Sequence, residues 1–281
     1  VYTTISDPEP DFVHSTGLQY EDAHAPNART RGTAMTIESD RDLAGLRRAG
    51  RVVALAIEEM KAALESGMTT AELDAVGAAV YERHGARSAP QLVYGFPGVN
   101  LISVNDEAVH GVPGGRVIET GDLVKIDVTA EVGGYVADAA VTVAMPRGPR
   151  VHGELRDCAE LAFARAASVA RAGRPVNKIG RVVDNTVRGR GFVTLAGLSG
   201  HGIGKTIHEP PTIPNRFDKK SDSLLTAGLV VTIEPIIAAG SDRTVEGSDG
   251  WTLRTADGSP AAHHEHTIVI TKGSPIVLTA A

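Results

Sequence analysis

Apolar residues recur every three or four positions at the start of the readable pattern: Leu43, Leu46, Ala49, Val53, Ile57 and Met60. That period lays them on one face of a helix running from about Ser39 to Glu65 and stopping at Gly67. A second helix starts at Thr69, where Thr69-x-x-Glu72 reads as a capping box, and ends near Gly85. The pattern then turns strand-like in LISV at 101–104, LVKIDVTAEV at 123–132 and YVADAAVTVA at 135–144, with Gly133-Gly134 as a hairpin turn between the last two. The same order returns afterwards. Helices over about Glu154–Arg171 and Asn177–Arg190 stop at Gly173 and Gly191, and the strand segments FVTLAG, LVVTIEPII and HTIVITKG follow. Gly67 and Gly173 are 106 residues apart, and so are Gly85 and Gly191. This shared frame implies an α+β fold of two pseudo-symmetric halves, each with two helices and antiparallel strands. Its helices pack on one face of a curved antiparallel sheet and leave the other face for a site.

The 281 residues, 42% of them hydrophobic, suffice for a sizeable core. A formal net charge of −6 argues against nucleic acid as the main partner, because phosphates are bound by basic surfaces. No apolar run approaches the ~20 residues that span a membrane. The polar N-terminus lacks the basic and apolar regions of a secretory signal. Residues 1–38 read as a flexible extension or tag, within which Met35 could be an internal start, and residues 39–281 as one domain. A single cysteine, Cys158, excludes an intrachain disulfide; in DCAELAFARA it reads as a small core residue and points to a reducing, cytoplasmic compartment.

Against this apolar pattern, acids and histidines stand inside strand-like runs: Asp127 and Asp138 in the hairpin, His201 and His208 in GHGIGKTIHEPP, Glu234 in VVTIEPII and Glu265 in HHEHTIVIT. Burying an unpaired carboxylate costs on the order of several kcal/mol. Folding the hairpin brings Asp127 and Asp138 opposite or diagonal, roughly 5–8 Å apart. Two carboxylates that close repel unless a cation or proton lies between them. His201 is flanked by Gly200 and Gly202, which allow close backbone approach to a ligand. His208, seven residues on, is too far for a single-turn metal pair, so the two histidines can serve different tasks. Four carboxylates and one imidazole suit two divalent ions of the Co, Mn, Fe or Zn type better than a thiolate-bound structural zinc.

The segments NDEAVHGVPGG, GDLVKIDVTAEVGGYVADAAVTV, GHGIGKTIHEPP, VVTIEPII and HHEHTIVIT, in this order and spacing, resemble those of type I methionine aminopeptidases, pita-bread-fold enzymes of the M24 metallopeptidase family. The resemblance covers roughly residues 38–275. It implies that Asp127 chelates one metal, that Asp138 and Glu265 bridge both, and that His201 and Glu234 bind the other. Glu234 is also the expected proton shuttle. His110 is expected near the substrate amide, and His208 at the scissile carbonyl or its oxyanion. Phe96, Leu101, Ile207 and Trp251 fall in the methionine pocket, with Pro90 also where relatives carry cysteine and Val93 where a tyrosine is often found.

The implied activity is removal of the N-terminal methionine from peptides or nascent chains in the cytoplasm, with the ribosome as a candidate partner and no membrane or specific nucleic acid. The alternatives are an Xaa-Pro-type pita-bread peptidase and a non-catalytic binding protein on the same fold. The first usually carries a large N-terminal domain, for which about 38 residues are too few. The second would show lost ligands, whereas all five positions hold ligating side chains. A type II relative would carry a helical insertion between His208 and Glu234, which are only 26 residues apart.

Overall fold

The computed structural model describes residues 34–280, so the stretch 1–33 lies outside the described residues. Helix α1 (Asp40–Ala63) begins where the Ser39 hydroxyl accepts the Asp42 N–H. Helix α2 (Thr70–His84) opens with both arms of the expected capping box: Thr69 Oγ1 accepts from the Glu72 N–H, and Glu72 accepts from the Thr69 N–H at 2.8 Å. A short helix α3 (Ala89–Tyr94), absent from the sequence pattern, is capped by Ser88 and stopped by Gly95. Its six residues are too few to show a period. Helix α4 (Arg150–Val169) starts four residues before the expected Glu154, directly after Pro149, and an Arg150–Glu154 ion pair spans its first turn. Helix α5 (Asn177–Arg188) ends two residues before expected. Gly67, Gly85, Gly173 and Gly191 all have positive φ, between 63° and 98°; Gly85 is itself the cap of α2, and the other three follow within three residues of their helix caps.

The strands are β1 (Arg87–Ser88), β2 (Leu101–Val104), β3 (Glu107–Val109), β4 (Leu123–Val132), β5 (Tyr135–Ala144), β6 (Val193–Thr194), β7 (Ser199–Gly202), β8 (Glu209–Pro214), β9 (Val230–Ile233), β10 (Ile236–Ala238), β11 (Thr244–Glu246), β12 (Leu253–Thr255), β13 (Ala261–His263), β14 (Glu265–Val269) and β15 (Ile276–Val277). LVVTIEPII, expected as one strand, is two. Pro235 has no N–H for a ladder, and the chain leaves the sheet between β9 and β10. The main sheet runs β1-β4-β5-β14-β9-β7-β8, with β2 on β4 and β15 on β14, and its pairs are antiparallel. β4 and β5 pair along their whole length and close at Gly133 and Gly134, both with positive φ, as a two-residue hairpin requires.

Strand alternation sorts the side chains. Ile126, Val128, Ala130, Ala137 and Ala139 join the core beneath α1 and α2, built around Leu46, Val53, Met60 and Leu73. Val231, Ile233 and Ile268 join a second core beneath α4 and α5, with Leu155, Cys158, Ile179 and Val183. One apolar core therefore lies under each helix pair, and each also takes in residues from the other half of the chain. The intervening positions Asp127, Thr129, Asp138 and Glu265 on these strands, with Glu234 just past β9, line a cavity instead. Residues 34–38, counted with the extension in the sequence pattern, reach the fold: Met35 is buried and its N–H donates to Glu209 Oε2 at 2.6 Å, while Thr36 bridges to Leu229. Among the described residues no helix is long and apolar enough to cross a membrane.

Candidate metal centre

Sheet register assembles the acids. On β4, Asp127 faces Ala140 of β5, and Ala140 faces Glu265 of β14, so the two acids flank one alanine in a row across three strands. Asp138 pairs with Thr129 and is therefore diagonal to Asp127. Its strand position is locked by Thr267, whose hydroxyl donates to the Asp138 carbonyl and accepts the Asp138 N–H. Glu234 leaves the end of β9. Its carboxylate accepts from the Thr232 hydroxyl at 2.8 Å, and its carbonyl accepts from Asn215. His201 on β7 completes the group. Its N–H donates to Thr232, its Nδ1 lies 2.9 Å from the Gly202 carbonyl, and its Nε2 lies 3.4 Å from Glu234 Oε1. With Nδ1–H committed to a carbonyl, the Nε2 lone pair is directed at the acids, an arrangement that orients a ligating histidine.

All five residues expected at the metals line one cavity, together with His110, His208, Phe96, Leu101, Ile207 and Trp251. Ligand atoms of Asp138, His201 and Glu265 lie within 4.8 Å of one another, and so do those of Asp127, His263 and Glu265. The two groups share Glu265. Asp127 Oδ1, Asp138 Oδ1 and Glu265 Oε1 are buried without a hydrogen-bond partner among the described residues. Orphaned carboxylate oxygens on this scale are costly unless a cation or protons accompany them. Burial, and then mutual repulsion, drives Asp127 and Glu265 well above the usual carboxylate range, and burial pushes Asp138 up to about 7. Oxygen-rich donors with an imidazole in each group fit divalent ions.

The histidines divide by setting. Burial lowers His201 to about 4. Burial, with the nearby rings of His201 and His110, holds His208 well below the usual histidine range. The His208 ring meets His201 edge-on at 4.2 Å, and its Nδ1 contacts the Tyr94 hydroxyl. His110 has φ 59°, a left-handed conformation uncommon for a residue with a side chain and a frequent mark of functional sites.

Beside the acids the wall turns apolar. The Phe96 and Trp251 rings meet edge-on with centroids 5.2 Å apart, and Leu101, Ile207 and Pro90 complete the surface. Val93 is exposed and lies outside the lining, whereas the adjacent Tyr94 lines the cavity. Tyr94, Thr129 and His263 line the cavity without having been singled out in the sequence. For His263 a signal existed: in a strand context it is two residues from Glu265 and so shares its side, whereas His264 and His266 pack against Phe163.

A sheet that gathers buried carboxylates and imidazoles beside an apolar, side-chain-sized recess defines a metal-dependent hydrolase. The chain belongs to metallopeptidase family M24, whose profile matches residues 44–272. It is 46% identical over 247 residues to a protein of Bacillus subtilis named methionine aminopeptidase 2, covering 87% of this chain and 99% of the relative. A methionine aminopeptidase of Aquifex aeolicus is 35% identical over 88% of this chain and 99% of its own. The crystal structure of a methionine aminopeptidase from Thermotoga maritima superposes with a TM-score of 0.84 at 30% identity, over 88% of this chain and 100% of the other. The fold is thus the pita-bread fold. Prolidase from Pyrococcus furiosus shares it at a TM-score of 0.72, with 21% identity and 66% of its chain covered.

Proposed function

We propose that this chain removes the N-terminal methionine from peptides and nascent proteins, with residues 39–281 as its single catalytic domain. The carrying observation is that two overlapping acid–imidazole groups sharing Glu265 open onto an apolar recess walled by Phe96 and Trp251. The full-length likeness to relatives named methionine aminopeptidase supports the same reading. Two divalent ions are proposed, held by Asp127, Asp138, His201, Glu234 and Glu265. When bound they would lower the pKa of a water and polarise the first peptide carbonyl.

The chain's own residues supply the rest. Glu234, held by Thr232, takes the proton released as water attacks and passes it to the departing amine. His208 donates a hydrogen bond to the carbonyl oxygen as charge develops on it. His110 faces the substrate amide across the cavity. Phe96, Leu101, Ile207 and Trp251 enclose the methionine side chain and exclude water from it. The setting proposed is the cytoplasm, with substrates presented as they leave the ribosome.

The test is release of methionine from Met-Ala-Ser by purified protein supplied with Co or Mn, run beside a panel of other N-terminal residues and an Xaa-Pro peptide. Selective release from the methionine peptide is expected. Inactivity with every divalent metal, or a preference for Xaa-Pro, overturns the reading.

A further inference from the structure

His263 belongs to one of the two acid–imidazole groups but was not among the five ligands assigned above, and its surroundings are those of a ligand. It closes β13, is 2% exposed, and neither of its ring nitrogens has a hydrogen-bond partner among the described residues. Its backbone is fixed on both sides by Thr142: the His263 N–H donates to the Thr142 hydroxyl at 2.9 Å, and that hydroxyl donates to the His263 carbonyl at 2.7 Å. Pairing with Ile236 of β10 adds a further restraint. The ring is thereby held with Nε2 at 3.4 Å from Glu265 Oε2 and 3.8 Å from Glu234 Oε2.

Those separations exceed the 2.7–3.2 Å of an ordinary N–H···O bond. The 3.4 Å to Glu265 suits a different arrangement: two donors on adjacent positions of one ion, each ~2.0–2.2 Å from it, lie roughly 3–3.4 Å apart. The His201–Glu234 separation on the other side of the cavity is the same 3.4 Å. A desolvated imidazole with no partner, aimed into a group of orphaned carboxylate oxygens, needs a cation or a donor to offset its burial.

We propose that His263 Nε2 is a sixth metal-ligating group, which with Asp127 and Glu265 forms a position equivalent to that of His201 with Asp138 and Glu265, so that each of the two ions keeps one imidazole. The proposal rests on the metallopeptidase reading and extends it. A second nitrogen in an otherwise oxygen-lined site shifts preference away from Mn and towards Co, Fe and Zn. The Asp127 position then gains the affinity and geometric selectivity that an all-carboxylate position lacks.

The experiment compares the metal-free full-length protein with His263→Gln and with His201→Gln as a reference for losing one imidazole. Co, Zn and Mn are titrated by calorimetry, and the Co-loaded proteins are read by visible absorption. Wild type should take up two equivalents of Co. In His263→Gln one equivalent should weaken on the order of tenfold or more, the Co band should change in intensity, and Mn should weaken least. Unchanged Co affinity and spectrum in a folded His263→Gln overturns the proposal while leaving the metallopeptidase reading intact. A wild type that binds no divalent metal overturns both. Should the variant fail to fold, proton NMR of Co-loaded wild type decides alone: two paramagnetically shifted imidazole N–H signals support the assignment, and one refutes it.

Discussion

The Tyr94 hydroxyl and Nδ1 of His208 share a hydrogen bond, and its direction fixes the tautomer of a ring that lines the cavity. If Nδ1 accepts, the ring hydrogen lies on Nε2, and a neutral histidine presents a donor. Burial favours that neutral form. A carbonyl oxygen acquiring negative charge needs such a donor with its hydrogen already placed. Replacing Tyr94 with Phe leaves the aromatic wall in place but frees both tautomers. We expect kcat to fall on the order of tenfold, as for loss of a group that orients a functional histidine, with KM and bound metal little changed. Steady-state kinetics beside metal analysis reads this; an unaltered kcat would show that Tyr94 does not govern His208.

His110 offers a test in which stability and activity part company. Its φ of 59° is one that a Cβ disfavours. Both His110→Ala and His110→Gly remove the imidazole and should lower kcat/KM alike. Glycine relieves the backbone and alanine does not, so the glycine variant should be more stable than the alanine variant by about 1 kcal/mol. Urea unfolding monitored by circular dichroism measures the gap. Equal stabilities, or a more stable alanine variant, would mean the backbone relaxes out of the left-handed region.

The apolar recess carries its own prediction. Trp251 and Phe96 brace each other edge-on, and removing either ring leaves a void that accepts other side chains poorly as well as loosely. Trp251→Ala should lower kcat/KM for a methionine peptide by about 10–200-fold, the scale of contacts in an apolar specificity pocket. The ratio over a leucine or norleucine peptide should fall with it. A variant that lost rate equally on every peptide would place Trp251 in positioning rather than selection.

Much of this architecture can be read in the chain because its determinants are local. Strand β5 and the β4–β5 turn coincide with the residues expected, since period and Gly133-Gly134 are contained within twenty-odd positions. The turns just past the helices, at Gly67, Gly85, Gly173 and Gly191, need a residue that adopts positive φ. The diagonal placement of Asp127 and Asp138 follows from that hairpin alone. What escaped the sequence depends on long-range placement. Helix α3 is too short for a period, and it is α3 that swings Tyr94, rather than Val93, into the cavity. His263 sits in a run of three histidines around Glu265; alternation puts it on the side of Glu265, but the pairing of β13 with β10 and the Thr142 bonds that hold it there are long-range. The break after β9 was written in Pro235, but a proline in an apolar run is equally compatible with a strand edge.

The raised carboxylates make stability, pH and metal interdependent. In the metal-free folded protein burial pushes Asp138 up to about 7, and burial with mutual repulsion also raises Asp127 and Glu265 well above the usual carboxylate range, whereas the unfolded chain gives up the same protons near pH 4. Across that interval the folded state binds more protons than the unfolded state. The linkage relation then makes stability fall as pH rises, with the favourable contribution complete below the unfolded pKa and lost as pH passes through the folded one. A divalent ion bound by the same oxygens must displace those protons, so its apparent affinity should rise with pH and its binding should release protons.

Thermal unfolding of metal-free protein should therefore drop between about pH 4 and 7. Unfolding of protein saturated with Co or Mn should hold or rise, so that the two curves diverge as pH increases. Calorimetric titrations in buffers of different ionisation enthalpy should show protons leaving on metal binding near neutral pH. Asp138→Asn, which cannot titrate, should flatten part of the metal-free decline while lowering metal stoichiometry and activity together. If metal-free and metal-saturated protein lose stability in parallel, or no proton leaves on binding, the carboxylates are already ionised in the metal-free protein and their burial is offset by something other than protons and cations.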